Sequence, residues 1–224
     1  MARLHAVKNP GKCALKVRDL GIREYLPVYE SMRMFNTRRG ATTADEFWCL
    51  QHGPVVTLGA NSSHRHIHPG MNVPVVCTDR GGQVTYHAPG QAIVYLLVDL
   101  RRKALGIRKF VHHIEQAVVD LLAGYQVSAF ARTDAHGVYI GDAKVAALGL
   151  RVSGGCSYHG VALNVDMDLS PFSSMDPCGF PGQPVTQLKD HGIESSCQQI
   201  HAELTMQLCQ HLDYEKTDIE TIGQ

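Results

Sequence analysis

The sequence predicts an α+β fold in which helices flank a mixed β-sheet, and three observations carry the prediction. Apolar residues recur at three- and four-residue steps in three separated segments. Short β-branched or apolar runs bounded by glycine and proline fill the chain between them. The strand candidates come in consecutive pairs, read as hairpins, with the helices inserted between them. At 224 residues and 44% hydrophobic content the chain can bury a full core, and it has no repeat, low-complexity tract or linker, so residues 1–224 are read as one domain.

The elements follow in order. Leu26 to Arg38 carries Val28, Met32 and Phe35 at helical spacing behind Pro27, whose fixed φ suits a first helical turn. EFWCLQ and PVVTLG read as two strands across a His52-Gly53 turn. Val73 to Thr78 and Ala92 to Leu100 read as further strands on either side of a glycine-rich stretch. The clearest helix runs from Ile107 through Phe110, Val111, Ile114, Val118, Leu121 and Leu122 and ends at Gly124. GVYI, KVAALGLRV and SYHGVALNV are strands with Gly141 and Gly154-Gly155 in the turns between them. Ile200, Leu204, Leu208 and Leu212 mark a closing helix behind the possible caps Ser195 and Ser196.

Composition removes several function classes. Twenty-one basic and 21 acidic residues cancel, so no net field favours nucleic acid or an anionic membrane. The N-terminal stretch lacks the apolar run of a signal peptide, and Ala92 to Val98 is too short to span a bilayer; a soluble cytoplasmic protein is expected. Seven scattered cysteines with no CxxC pair argue against a zinc ribbon, a dithiol motif or a disulfide framework. His64, His66 and His68 alternate in HRHIH, but loop-forming neighbours and the lack of a nearby acidic or cysteine partner speak against a metal site. Neither GxxxxGK[ST] nor GxGxxG occurs.

Four stretches can carry chemistry. In RGGQVTYHAPGQ, Arg80 to Gln91, paired glycines let backbone N–H groups approach a ligand, although a glycine-rich hairpin turn has the same composition. In GDAKVAALG, Lys144 opens an apolar strand, either as an edge lysine with its ammonium in water or as a cation aimed into a cleft. In SYHGVALNV, His159 reads more simply as a hydrogen-bonded structural residue than as an acid or base. In MDPCGF, Pro177 and Gly179 present Cys178 on a turn, as a small packed residue or as a nucleophile.

Taken in order and at their spacing, RGGQVTYHAPGQ, GVYIGDAKVAALGLRV and SYHGVALNVDMDLSPFSSMDPCGFPGQPVTQL resemble the lipoyl(octanoyl) transferase family, from about Leu15 to about Asp190. The resemblance implies a fold shared with biotin and lipoate protein ligases. It also implies transfer of octanoyl from octanoyl-acyl carrier protein to a lysine of lipoyl domains of 2-oxoacid dehydrogenase complexes or of the glycine-cleavage H protein. Carried over by motif, the catalytic residues are Cys178, of the PCG motif, and Lys144. Substrate contacts map to Arg80, Gly81, Gly82, Gln83, Val84, Thr85, Tyr86 and His87, to Ala147, Leu148 and Gly149, and to Gly160, Val161 and Ala162. Ala88 stands where the family has glycine and Val145 where isoleucine is commoner, and the last thirty or so residues carry none of the motifs. No metal and no cofactor are implied, since an acyl thioester is already activated and needs no ATP. A free thiol is only a few per cent ionised at neutral pH, and an ammonium beside it supplies the missing thiolate stabilisation. Two rival readings remain open: an ATP-dependent lipoate or biotin ligase of the same fold, and a non-catalytic module binding acyl carrier or lipoyl domains.

Overall fold

A computed structural model describes residues 14–60, 62, 66–68, 72–175, 182–215 and 219–222. Among these, the strands divide between a sheet of eight and a sheet of three. The large sheet starts on a strand with little signal in the apolar pattern, β1 (Leu15–Arg23), where buried Leu15 and Val17 alternate with half-buried Lys16 and Arg18. It runs parallel to β2 (Asp45–His52) on one side and to β11 (Ile219–Ile222) on the other. Beyond β2 the order continues through β6 (Gln91–Leu97), β10 (Cys156–Asn164), β9 (Ala143–Ser153), β8 (Val138–Ile140) and β7 (Phe130–Ala131), all antiparallel to their neighbours. The small sheet has β3 (Val55–Leu58) between β4 (Val75–Cys77) and β5 (Val84–His87).

The mixed α+β architecture is the expected one, but one pairing is not. EFWCLQ and PVVTLG form β2 and β3, which belong to different sheets and share no ladder. β2 is buried along nearly its whole length and β3 throughout. Such strands need partners on both edges, which a hairpin of two cannot supply, and each takes them from distant segments. The hairpin reading holds for β8–β9 and β9–β10, where Gly141, Gly154 and Gly155 adopt positive φ in the turns. The glycine-rich stretch also proves less irregular than its composition implies, because its middle, Val84–His87, is β5.

Alternate residues of the central strands feed two cores. Phe47, Val94 and Leu96 pack under α2 (Ile107–Gly124) and α3 (Cys197–His211), against Phe110, Ile114, Val118, Leu204 and Leu208. Trp48, Leu50, Ile93, Tyr95 and Leu97 point the other way, against Tyr25, Val28, Tyr29 and Met32 of α1 (Tyr25–Arg38). Burial on both faces explains why Ala92 to Leu97 reads as an unbroken apolar run. Of the two possible caps, Ser196 opens α3 in a capping box with Gln199, while Ser195 Oγ lies 3.1 Å from Tyr125 Oη. No described helix is long and apolar enough to cross a membrane.

Candidate active site

Where β5 meets the middle of the large sheet, apolar and polar side chains converge on a narrow pocket with a cavity volume of about 60 Å³. The sheet register builds its floor. Ile93, Ala162 and Ala147 form one cross-strand row, and Tyr95, Gly160 and Gly149 form the next. Directly paired residues share a face, so small residues in adjacent rows leave a hollow. Val84, Val161 and Leu148 add apolar wall, and Gln91 and Asn164, paired with each other, add polar groups.

The Arg80–Gly82 loop lies across this hollow because three glycines make room. A Cβ on Gly59 would sit 2.1 Å from Gly82 O, and one on Gly149 would sit 2.9 Å from Arg80 Cδ, both inside contact distance. Gly82 itself has φ +81°. Gly81 N–H donates to Leu150 O (2.8 Å), which stitches the loop to β9. The Arg80 guanidinium, 6% exposed, donates through Nε and Nη2 to Thr57 Oγ1 (3.1 and 2.8 Å), through Nη2 to Thr57 O (2.7 Å) and through Nη1 to Gly81 O (3.0 Å). Gln83, Val84, Thr85 and His87 line the pocket with Arg80 and Gly82. Two members of the motif do not: Tyr86 packs edge-on against Phe172, and Gly81 faces a neighbouring groove with Leu150 and Arg101.

Lys144 is 3% exposed, so the solvated edge lysine is excluded and the cation aimed into a cleft is what the fold builds. Its Nζ donates to His136 O (3.1 Å) and lies 5.2 Å from the centre of the Tyr139 ring, a favourable cation–π approach. Gly137, at φ +140°, leaves the necessary space, since a Cβ there would be 3.0 Å from Lys144 Cε. The Lys144 main chain is held by Pro184–Thr186: its N–H donates to Pro184 O (2.8 Å) and its O accepts from Thr186 N–H (3.0 Å).

Burial favours the neutral form of His87, which lines the pocket, and of His52, whose ring packs edge-on against that of His87. Burial pushes His87 down to about 3 and His52 down to about 4. Gln91 Nε2 donates to Tyr86 O and Asn164 Oδ1, so Gln91 Oε1 accepts and His87 Nδ1, 2.7 Å away, carries the proton. His87 Nε2 is therefore an acceptor. Asn164 Nδ2 is fixed in turn by Thr186 O (2.9 Å). His159 adopts φ +60° within β10, is 1% exposed and stacks on Tyr29, with Nε2 at 3.5 Å from Asp79 Oδ1. Burial lowers its pKa, and Asp79 opposes the shift. Asp79 is held well below the usual carboxylate range by His159, then by the Tyr158 and Tyr29 hydroxyls, which both donate to it.

Cys178 lies outside the described residues, as does His64 of HRHIH. Of the described thiols, burial raises Cys49 and Cys197 to about 11 and Cys209 to about 12. Those three are poor thiolates.

The family model of the lipoyl protein ligase A/B catalytic domain matches residues 30–209. An octanoyltransferase from Thiobacillus denitrificans is 53% identical over 192 residues, covering 86% of this chain and 88% of that protein. The chain belongs to the octanoyltransferase family. A bipartite lipoate protein ligase from Thermoplasma acidophilum superimposes with a TM-score of 0.73 at 14% identity, over 95% of this chain and 88% of that one. A biotin protein ligase from Aquifex aeolicus, described with biotin and ATP, gives 0.55 at 9% identity over 88% and 70%. At such identities these two likenesses concern the fold, which is the ligase-like one anticipated.

All three motifs of the family resemblance reach this one pocket, with Lys144, Ala147–Gly149 and Gly160–Ala162 on its walls beside the loop. The motifs do not contain Tyr25, Ile93 or Tyr95, which also line it. Tyr95 carried the one available signal: a hydroxyl inside an apolar strand needs a buried partner, and it has one in His52 Nε2 at 2.8 Å.

Proposed function

We propose that this family member transfers octanoyl from octanoyl-acyl carrier protein to a lysine of lipoyl-accepting domains, in the cytoplasm, through a thioester on Cys178 assisted by Lys144. The acceptors are lipoyl domains of 2-oxoacid dehydrogenase complexes or glycine-cleavage H protein. The observation that carries the reading is the buried Lys144 ammonium at an apolar pocket walled by the other two motifs. Phe172, before Cys178, and Val185, after it, both line that pocket, which favours the PCG cysteine as its nucleophile.

In the first step the Cys178 thiolate attacks the thioester carbonyl and the carrier thiol leaves, taking up a proton. In the second, the acceptor amine, having lost its ammonium proton, attacks octanoyl-Cys178 and releases the thiol. An ammonium near Cys178 favours the thiolate by about 1.4 kcal/mol for each pKa unit removed. The rows of small residues receive the acyl chain, Arg80–His87 close over it, and His87 Nε2 offers a neutral acceptor to an approaching N–H.

Intact-mass analysis after incubation with octanoyl-acyl carrier protein, without ATP, tests this. One hydroxylamine-sensitive octanoyl group is expected on Cys178, and Cys178→Ala should abolish both adduct and transfer. A requirement for ATP would favour the ligase reading. Absence of any adduct would favour the binding module, and an adduct on Cys77 or Cys156 would remove Cys178 from the mechanism.

A further inference from the structure

We propose that Glu115 is a positioning residue for Lys144, acting through the His136–Gly137 turn, an inference that rests on Lys144 being the catalytic cation. Glu115 sits on α2 beside Ile114 and Val118 and is 5% exposed. A carboxylate buried on an otherwise core-facing helix side is costly unless it is engaged. Here Oε1 accepts from Gly137 N–H (3.1 Å) and from His136 Nδ1 (3.2 Å).

Those two contacts grip the turn that holds the lysine. His136 O, between them, is the carbonyl that receives Lys144 Nζ at 3.1 Å. From the preceding side Tyr139 Oη donates to Ala135 O (2.8 Å). The turn is thus clamped at Ala135 and at Gly137, bracketing His136. Gly137 packs so closely that a Cβ would meet Ala146 O at 2.7 Å and Lys144 Cε at 3.0 Å. The His136 carbonyl cannot drift while these contacts hold, and the ammonium is held with it. The sequence of α2 carries no motif, and its link to the lysine through Glu115 runs by way of this turn.

Reach and charge are separable at this site. Glu115→Gln keeps the length of the side chain and an acceptor oxygen, whereas Glu115→Asp keeps the charge but withdraws it by one methylene. The full chain is assayed for the pH midpoint of Cys178 alkylation by iodoacetamide and for single-turnover acyl-enzyme formation, with Lys144→Met as reference. Glu115→Gln should stay within about threefold of wild type, and Glu115→Asp should slow acylation about tenfold or more with donor KM within about twofold, as misplacement of a catalytic group does. The alkylation midpoint of Glu115→Asp should move upward, towards that of Lys144→Met, and the two changes combined should be no worse than Lys144→Met alone. Should Glu115→Asp not fold, Tyr139→Phe, which frees the turn at Ala135, carries the same expectation. A silent Asp variant beside an impaired Lys144→Met overturns the role of Glu115, as does a Gln variant as damaged as Asp or a multiplicative double mutant. A Lys144→Met enzyme with an unchanged midpoint and rate overturns the reading of Lys144 itself.

Discussion

Thr57→Val should loosen the Arg80 loop with almost no change in side-chain shape. Thr57 is fully buried, and its hydroxyl receives two guanidinium N–H groups at 3.1 and 2.8 Å, while its carbonyl, which the substitution leaves in place, receives a third contact at 2.7 Å. Hydrogen bonds to a charged group contribute about 1.5 to 3 kcal/mol each. Taking the lower figure for both, because Arg80 borders a pocket that water can enter, gives a loss of about 3 kcal/mol. For a chain of 224 residues, each kcal/mol lowers the melting temperature by roughly 2–4 °C, so a fall of roughly 6–12 °C is expected. Thr57→Ser keeps the hydroxyl and removes one methyl group, a loss of about 1 kcal/mol or roughly 2–4 °C. Calorimetry on the three proteins, together with donor KM from acylation kinetics, separates the two terms, since only Val should raise KM. Equal melting temperatures for Val and Ser, or a Val variant within about 2 °C of wild type, would refute the assignment of Arg80 as a clamp held by Thr57.

Two further outcomes follow from the pocket and its histidines. Rates on six-, eight-, ten- and twelve-carbon donors should peak sharply, by about tenfold for each pair of carbons at about 0.8 kcal/mol per buried methylene, and Ala147→Leu should move the peak to shorter chains; a flat profile would mean the rows of small residues do not enclose the acyl tail. Because burial lowers His52 to about 4 and His87 to about 3 from an unfolded value of 6.5, the folded chain binds fewer protons than the unfolded one below that value. The stability these neutral imidazoles contribute is fully present above pH 6.5 and is lost as pH falls towards 4 and then 3. Melting temperature followed from pH 7.5 to about 4 should fall less steeply in His52→Gln than in wild type, and parallel curves would show that His52 is not held neutral.

The motifs were legible because each is contiguous and glycine-marked, and the backbone itself brings them together: the register of β6, β10 and β9 puts Ala147, Gly149, Gly160 and Ala162 on one floor. Helices announced themselves through spacing, and Ser196 and Gly124 through their chemistry. What stayed hidden depends on long-range pairing. β1 mixes charges into its alternation and is recognisable only beside β2 and β11. The separation of β2 from β3 is decided by which distant strands satisfy their edges. Lys144 could not be told from a solvated edge lysine, because its burial comes from Gly137, Tyr139 and Pro184–Thr186 acting together. Tyr25, at the first position of α1, lines the pocket from just outside the Leu26–Arg38 stretch whose spacing marks the helix.

The meeting of Gly59, Gly82 and Gly149 restricts how this enzyme can diversify. These residues come from three separate segments, yet a side chain at either Gly59 or Gly149 is refused by the same loop. A mutational walk towards a new acyl substrate therefore cannot begin at those positions one residue at a time, since any added atom there displaces Arg80 or Gly82 before it reshapes the cavity. The permissive routes start at Ala147 and Ala162, which already carry a Cβ and sit on the floor. Substrate range can drift along that row while the loop end stays fixed, so relatives with altered chain-length preference are expected to differ in the floor and to share the three glycines.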